Sequence, residues 1–169
     1  MLPVLVTSTI ISFLENEVKT DKKYFDEIVE KNGCYRIKTV GDAYLAVCGL
    51  PERNTANAEN LLQCAQEFIK YLKERNETSQ YKWNIRVGIH IGEVIAGIVG
   101  EKRYIYDIFG DAVNTASRME NCSESMRITV SQDFYNVLKD SANVANVLWV
   151  DSLFLYPDDR PDFLNCPYF

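Results

Sequence analysis

The chain has 169 residues, of which 47% are hydrophobic and 25% are charged, enough for one domain with a substantial apolar core. Its formal net charge is −6, so long-range electrostatics give no help in binding nucleic acid or an anionic membrane, and neither is expected as a partner. The apolar stretch from Leu2 to Leu14 is shorter than the ~20 residues that cross a bilayer, so we expect no membrane contact from this segment.

The first predicted elements are a helix and a hairpin. Apolar residues at helical spacing predict a helix in the second half of residues 8–31, which ends at Asn32-Gly33. Residues 34–40 and 43–49 alternate in polarity and predict two strands. Only Gly41-Asp42 separates them, and glycine in the first position favours a type II′ turn. Asp42 is therefore expected at an exposed, rigidly held hairpin tip.

The rest of the chain alternates between helical and strand patterns. The predicted elements are a helix at 56–76, a strand at 83–91 with a hairpin partner at 94–99, a strand at 104–108, a helix at 112–121 capped by Asp111, a strand at 127–130, a helix at 131–139, a strand at 145–150 and an irregular tail at 151–169. This order predicts an α+β fold with a ferredoxin-like βαββαβ core, in which helices pack on one face of an antiparallel sheet.

The five cysteines include no Cys-x-x-Cys pair. Their odd number and their places in apolar segments predict reduced, buried thiols rather than disulfides or a zinc site. The single histidine, His90, alternates with Arg86 and Gly88 along a strand and is expected to be structural.

Asp42 is a candidate metal ligand. Carboxylates are natural ligands of Mg²⁺, and divalent ions can activate a ribose hydroxyl and neutralise a pyrophosphate leaving group. A Gly-Asp dipeptide is equally explained by turn chemistry alone.

Lys38 and Asp107 are candidate purine-binding residues. Adenine has an acceptor at N1 and a donor at its exocyclic amine, which a lysine donor and an aspartate acceptor match. Taken separately, each is also an ordinary surface residue.

Asn114 and Arg118 are spaced i, i+4 and share a helix face. An arginine can neutralise charge that develops on a phosphate, and an asparagine can hold a ribose oxygen. A capped helix with a solvated arginine is the simpler alternative.

Two long segments carry a family resemblance. Residues 36–44 (RIKTVGDAY) and 106–119 (YDIFGDAVNTASRM) closely resemble the catalytic domains of class III nucleotidyl cyclases, which make cyclic AMP or cyclic GMP. The resemblance implies that Asp42 binds Mg²⁺ or Mn²⁺ in a two-ion site and that Asn114 and Arg118 stabilise the transition state. It also implies a single catalytic domain over 1–150, with an atypical N-terminus at 1–20.

The same resemblance bears on the substrate and on assembly. Guanylyl enzymes usually carry Glu and Cys where this chain has Lys38 and Asp107, which favours ATP over GTP. Lys102 and Arg103 lie near the loop that holds the β- and γ-phosphates in the family. The family builds its sites between two subunits, so a head-to-tail homodimer, or a heterodimer with a cyclase partner, is expected. The expected location is cytoplasmic, including the case of a cytosolic domain within a larger membrane-attached protein.

Two family segments are missing from the sequence. Cyclases open with a strand bearing Phe-x-Asp-Ile-x-Gly-Phe-Thr, whose Asp is the second metal carboxylate, but Leu2–Phe13 contains no acid. The late Lys-Gly-x-Gly segment is also absent, because 149–169 contains no lysine. Loss of the first strand would expose a sheet edge, which the apolar N-terminal run would have to cover. We therefore predict weak or no activity for this chain alone, and the alternative is a non-catalytic module that dimerises with or regulates a competent partner.

Overall fold

The computed structural model describes residues 4–11, 18–52, 56–102, 104–138 and 153–155. It confirms the α+β class. The elements in chain order are β1 Val4–Ile11, α1 Val18–Lys31, β2 Cys34–Val40, β3 Ala43–Cys48, α2 Asn57–Thr78, β4 Ile85–Gly92, β5 Ile95–Val99, β6 Ile105–Phe109, α3 Asp111–Asn121, β7 Arg127–Val130, α4 Gln132–Leu138 and β8 Leu153–Leu155.

The main sheet has six strands in the order β2-β3-β1-β4-β7-β8. The neighbouring pairs β2–β3, β3–β1 and β1–β4 are antiparallel. Strand β7 is parallel to both of its neighbours, β4 and β8. The sequence suggested that the N-terminal apolar run covers an edge of the sheet, and this expectation was wrong. The run forms β1 inside the sheet, where Thr9 is the register partner of both Tyr44 and Val87. The first strand is thus present in shape, although Val4–Ile11 carries no acidic residue.

The two faces of the sheet have different partners. The face that bears Tyr44, Ala46 and Val87 packs against α1, α2 and α4 in the larger apolar cluster, and we call it the α1/α2 face. The opposite face bears Leu45 and Val47, which pack with α3 and β6 in a smaller cluster, and we call it the α3 face. Side chains alternate between faces along each strand, so β3 contributes to both clusters.

A register shift in β2 separates two basic residues. Arg36 pairs with Ala46, whereas Lys38 pairs with Leu45, so Ile37 is an extra residue in this strand. In a regular strand, residues 36 and 38 would share one face. The bulge instead directs Arg36 to the α1/α2 face and Lys38 to the α3 face.

Two predicted turns are confirmed by backbone geometry. Gly33, after α1, has φ 64°, and its N–H donates to the carbonyl of Glu30 at 3.0 Å. Gly41 has φ 60°. Asp42, the second turn residue, does not have positive φ, since Met126 is the only non-glycine residue with positive φ in the described part of the chain. Positive φ at the first turn position alone is the mark of a type II′ turn.

Three expectations about the elements were wrong. The strand at 94–99 does not pair with β4, because β5 pairs with β6 in a separate two-stranded sheet. Asp111 is the first helical residue of α3 rather than its cap, and Gly110, with φ 138°, stands in the cap position. The tail at 151–169 contains β8, which adds to β7. The strand expected at 145–150 lies outside the described residues.

The cysteines follow the prediction in part. Cys34, Cys48 and Cys64 are buried and free. The side-chain contact with Cys34 raises the pKa of Cys48, and burial adds to this rise. Cys122, however, is disulfide-bonded, which corrects the prediction for that residue. In the described residues, no helix is both long enough and apolar enough to cross a bilayer.

Candidate active site

Asp42 lies at the exposed tip of the β2–β3 hairpin. The tight turn at Gly41 fixes where its carboxylate leaves the sheet. The flanking residue Tyr44 is 1% exposed and anchors β3 in the core. The exposed, rigidly held position of Asp42 is the one predicted from the sequence, and its role as a ligand of a divalent cation stays a prediction.

Lys38 and Asp107 meet directly, although 69 positions separate them in the sequence. The Lys38 Nζ donates to Asp107 Oδ2 at 2.7 Å. The other carboxylate oxygen of Asp107 accepts the backbone N–H of Ile108 at 2.8 Å, which orients the group. The two side chains are 35% and 15% exposed. A cationic donor and an anionic acceptor therefore stand side by side in a partly covered position.

Asn114 and Arg118 lie on the exposed side of α3. The opposite side of this helix is buried through Ala112 and Ala116. Gly88 of β4 permits close packing of α3 on the sheet, because a Cβ at this position would lie 2.4 Å from the carbonyl oxygen of Ala116. The helix therefore holds its two polar side chains on a rigid support, one turn apart.

The predicted site residues form separate groups within one chain. Lys38 and Asp107 are in contact, whereas no hydrogen bond or ion pair among the described residues joins Asp42 to Asn114. Lys102 is exposed in the connection between β5 and β6, and Arg103 lies outside the described residues.

The sequence reasoning missed an ion pair between Arg86 and Glu120. The Glu120 side chain, on α3, is fully buried, and its Oε1 lies 2.8 Å from Arg86 Nε. Besides Arg86, the two Glu120 oxygens have no hydrogen-bond partner within the part of the chain described. Burial raises the pKa of Glu120 from 4.5 to about 7, the charge of Arg86 opposes this rise, and the charge of Asp42 adds to it.

The strand register places the Arg86–Glu120 pair beside the hairpin tip, because Ile10 of β1 is the register partner of both Arg86 and Ala43, the residue after Asp42. The burial of Glu120 could have been predicted from the sequence. Residues 112, 116, 119 and 120 of α3 follow the spacing of a buried helix face, and residue 120 is the acidic one. Such an acid requires a cation opposite it, and Arg86 lies on the face of β4 that packs against α3.

His90 has the structural place expected of it. It is 9% exposed, and its Nδ1 lies 2.7 Å from Ser131 Oγ. It therefore links β4 to the start of α4 and is not a candidate metal ligand.

The described residues offer only part of a metal site. They contain no group of three or more His, Cys, Asp or Glu side chains that could hold an ion. Asp42 alone fits one Mg²⁺ whose other ligands are water and phosphate oxygens, since Mg²⁺ is often held by one or two carboxylates. A two-ion site does not fit these residues, because β1 has Thr7, Ser8 and Thr9 and no acid.

Comparison with known proteins identifies relatives for most of the chain. The family model for the adenylate and guanylate cyclase catalytic domain matches residues 8–150. The receptor-type guanylate cyclase gcy-13 of Caenorhabditis elegans is 44% identical over 117 residues, which are 68% of this chain and 11% of that protein. An adenylate cyclase of Mycobacterium tuberculosis is 37% identical over 116 residues, which are 69% of this chain and 26% of that protein. The chain thus spans at most about a quarter of these relatives.

Solved structures are similar in shape over most of the chain. The guanylate cyclase domain of RhGC from Catenaria anguillulae, in complex with GTP, has a TM-score of 0.73 and 31% identity, with 82% of each chain covered. The adenylyl cyclase CyaB from P. aeruginosa has a TM-score of 0.72 and 28% identity, with 82% of this chain and 81% of that chain covered.

Proposed function

The chain belongs to the family of adenylate and guanylate cyclase catalytic domains, and we propose that it forms cyclic AMP and pyrophosphate from ATP, in preference to cyclic GMP from GTP, for cyclic-nucleotide signalling. The observation that supports this proposal is the Lys38–Asp107 contact of 2.7 Å. The similar proteins include both adenylate and guanylate cyclases, so they do not decide the base.

Lys38 and Asp107 would distinguish the two purines by hydrogen-bond complementarity. Lys38 would donate to adenine N1, and Asp107 would accept from the exocyclic amine. Guanine presents a carbonyl and a protonated N1 instead, so partly buried groups would lose their partners, at ~1–3 kcal/mol for each group.

The remaining predicted residues have roles in the same reaction. The ribose 3′-hydroxyl attacks the α-phosphorus, and pyrophosphate leaves. Asp42 would hold Mg²⁺ or Mn²⁺, which supplies charge neutralisation when bound. Asn114 would orient the ribose, and Arg118 would neutralise charge on the phosphate. Lys102 and Arg103 would face the β- and γ-phosphates.

A site shared between two chains accounts for the separation of these groups. The exposed face of β5–β6 carries two cross-strand apolar pairs, Ile95 with Phe109 and Val99 with Ile105. These four residues, which we call the β5–β6 patch, are 46–66% exposed. Asp107 and Gly97 lie between the two pairs. An apolar surface around a proposed base-reading residue supports a second protomer there.

In the proposed head-to-tail dimer, Asp42 of one protomer would face Lys38, Asp107, Asn114 and Arg118 of the other. This arrangement applies to a homodimer and to a heterodimer with a cyclase partner. The proposed location is cytoplasmic, including within a longer membrane-attached protein, as the receptor-type relatives suggest.

Activity of the chain alone is expected to be low, because β1 supplies no second carboxylate. The same observation favours the alternative function, a non-catalytic module that binds nucleotide and pairs with a competent cyclase.

The test is cyclic-nucleotide formation by the purified chain with Mg²⁺ or Mn²⁺ and with ATP or GTP. We expect slow Mn²⁺-dependent turnover of ATP, which is lost in Asp42→Asn. Changing Lys38→Glu together with Asp107→Cys should shift the preference towards GTP by about tenfold or more, the equivalent of one lost hydrogen-bond pairing. Binding of Mn²⁺-ATP without turnover would favour the non-catalytic module, and robust turnover by wild type would refute the expectation of low activity.

Complementation tests the shared site. Mixing Asp42→Ala protein with Asn114→Ala protein should restore part of the wild-type activity, because one of the two sites in the mixed dimer is intact. Absence of rescue, with an active wild type, would contradict a site built from two chains.

A further inference from the structure

The carboxylate of Asp26, on α1, contacts both strands of the hairpin that carries the proposed site residues. Its Oδ1 accepts the hydroxyl of Tyr44, on β3, at 2.7 Å. Its Oδ2 lies 2.9 Å from Arg36 Nη1, on β2. One side chain outside the proposed site thus holds both strands against α1.

These two contacts flank the β2 bulge and the proposed site. Arg36 precedes the extra residue Ile37, and Lys38 follows it. Tyr44, in the other strand, stands two positions after Asp42. The ion pair between Arg36 and Asp26 therefore holds β2 next to the bulge, where the side chains of this strand change from one face of the sheet to the other.

The bulge sorts two neighbouring cations between two acids. Arg36 reaches Asp26 on the α1/α2 face, and Lys38 reaches Asp107 on the α3 face. A regular strand would direct both cations to the same face. A slip of one residue would therefore move Lys38 away from Asp107.

We propose that Asp26 is a positioning residue for purine recognition, because its contact with Arg36 holds the β2 register that presents Lys38 to Asp107. The part that concerns the purine rests on the proposed function. The part that concerns the register does not, and it can be measured without nucleotide.

Chemical acylation of lysines, followed by mass spectrometry, reports the contact of Lys38. Its rate is compared with that of Lys70, an exposed lysine on α2. Asp26→Asn and Arg36→Gln should each raise the relative rate for Lys38 by about two- to fivefold, as expected for loss of a partly exposed ion pair that holds the register. Asp107→Asn removes the partner of Lys38 directly and shows that the assay can detect its release.

Two control variants distinguish a change in the register of β2 from general destabilisation of the protein. Lys31→Gln removes the 2.9 Å ion pair between α1 and Glu67 of α2, which does not involve the hairpin. Tyr44→Phe removes only the contact of Asp26 with β3. Both should leave the relative rate for Lys38 close to that of wild type.

Unchanged Lys38 acylation in both Asp26→Asn and Arg36→Gln, with a clear increase in Asp107→Asn, would overturn the proposal. An equal increase in Lys31→Gln would also overturn it, because general destabilisation would then suffice. If one of the two register variants fails to fold, as judged by circular dichroism, the other decides.

Nucleotide binding gives the second measurement. The ratio of ATP to GTP affinity should fall in Asp26→Asn and Arg36→Gln and stay constant in Lys31→Gln. If wild type binds neither nucleotide while Lys38 acylation changes as expected, the proposed function fails and the positioning role of Asp26 in the register stands. If wild type binds ATP selectively and the variants keep that selectivity, the purine part of the proposal is wrong.

Discussion

The two faces of the main sheet are built on different principles. The α1/α2 face is covered by large buried side chains, among them Phe25, Phe68 and Trp83. The α3 face has a small cluster in which alanines of α3 pack on Leu45 and Val47. Apart from Lys102, in the connection between β5 and β6, the proposed site residues that the structure describes belong to the α3 face, to α3 and β6, which pack on it, or to the hairpin tip. Hydrophobic burial therefore stabilises the fold on one face, while the other keeps polar groups near the surface.

The comparison also explains why the α3 face depends on close fit. Because Ala112, Ala116 and Gly88 are small, α3 packs close to the sheet but buries little apolar area. An ion pair, Arg86 with Glu120, lies where a larger core would have an apolar contact. Four variants, in order of expected effect, test this difference between the faces.

The largest effect is expected on the α1/α2 face. Phe68 is 1% exposed, and its ring centroid lies 4.8 Å from that of Phe25. Phe68→Ala should lower the free energy of unfolding by about 3–5 kcal/mol, because a large cavity is left. Ile98→Ala, at a side chain that is 73% exposed, is the control and should change it by less than about 0.5 kcal/mol. Urea denaturation of both variants measures the difference, and similar losses would contradict the division between core and surface.

Glu120 should make stability depend on pH. Its folded-state pKa, about 7, is above the ordinary 4.5, so the folded chain retains a proton that the unfolded chain loses between these values. Stability should therefore fall as pH rises from 4.5 to 7, by up to about 3 kcal/mol, and stay low above pH 7.

The measurement is the difference in unfolding free energy between wild type and Glu120→Gln across this pH range. The variant has no titrating group at this position, so its contribution should be constant. A difference that does not change between pH 4.5 and 7 would mean that Glu120 is ionised throughout.

Gly88→Ala should displace α3. The new Cβ would lie 2.1 Å from the backbone nitrogen of Glu120, and backbone atoms cannot rotate away. We expect a loss of about 1–3 kcal/mol from overpacking, together with loss of any cyclase activity. Gly97→Ala is the matched control, because its Cβ would meet no atom of the described residues within 4 Å. Equal losses in urea denaturation would show that α3 does not sit closely on β4.

The smallest effect on stability is expected in the β5–β6 patch. Ile95 is 66% exposed, so Ile95→Ser should change the unfolding free energy of the protomer by less than about 0.5 kcal/mol. It should nevertheless weaken self-association, as measured by sedimentation. Ile98→Ser, on the opposite face of β5, is the control. Equal weakening by both would remove the β5–β6 patch as the contact surface.

The sequence predicted the regular elements well where periodicity was long. The apolar stripe of α2 and the alternation in β4 depend only on neighbouring residues, and so does the Gly41-Asp42 turn. Partners of strands were predicted less well. The position of residues 94–99 directly after β4 predicts pairing with β4, but they pair with β6 instead. Where β6 lies is not contained in any local pattern.

The candidate site shows the same division. Motifs alone predict five candidate site residues, namely Asp42, Lys38, Asp107, Asn114 and Arg118. The structure brings Lys38 and Asp107 into contact, and the roles of all five stay predictions. Glu120 was missed, since an acid on a helix is ordinarily solvated and only burial reveals its raised pKa. The role of β1 was also misjudged, because its apolar run lacked the expected acid although it kept the pairing of a central strand.

The sequence by itself determined the secondary-structure class, the hairpin that carries Asp42 and the family to which the chain belongs. The class and the hairpin follow from local periodicity and turn chemistry, and the family follows from the resemblance of two long segments, 36–44 and 106–119, to known cyclases. Only the tertiary structure decided the place of β1, the bulge that separates Arg36 from Lys38 and the buried pair of Arg86 and Glu120. Each depends on contacts between residues far apart in the chain, which arise only when the faces of the sheet are packed.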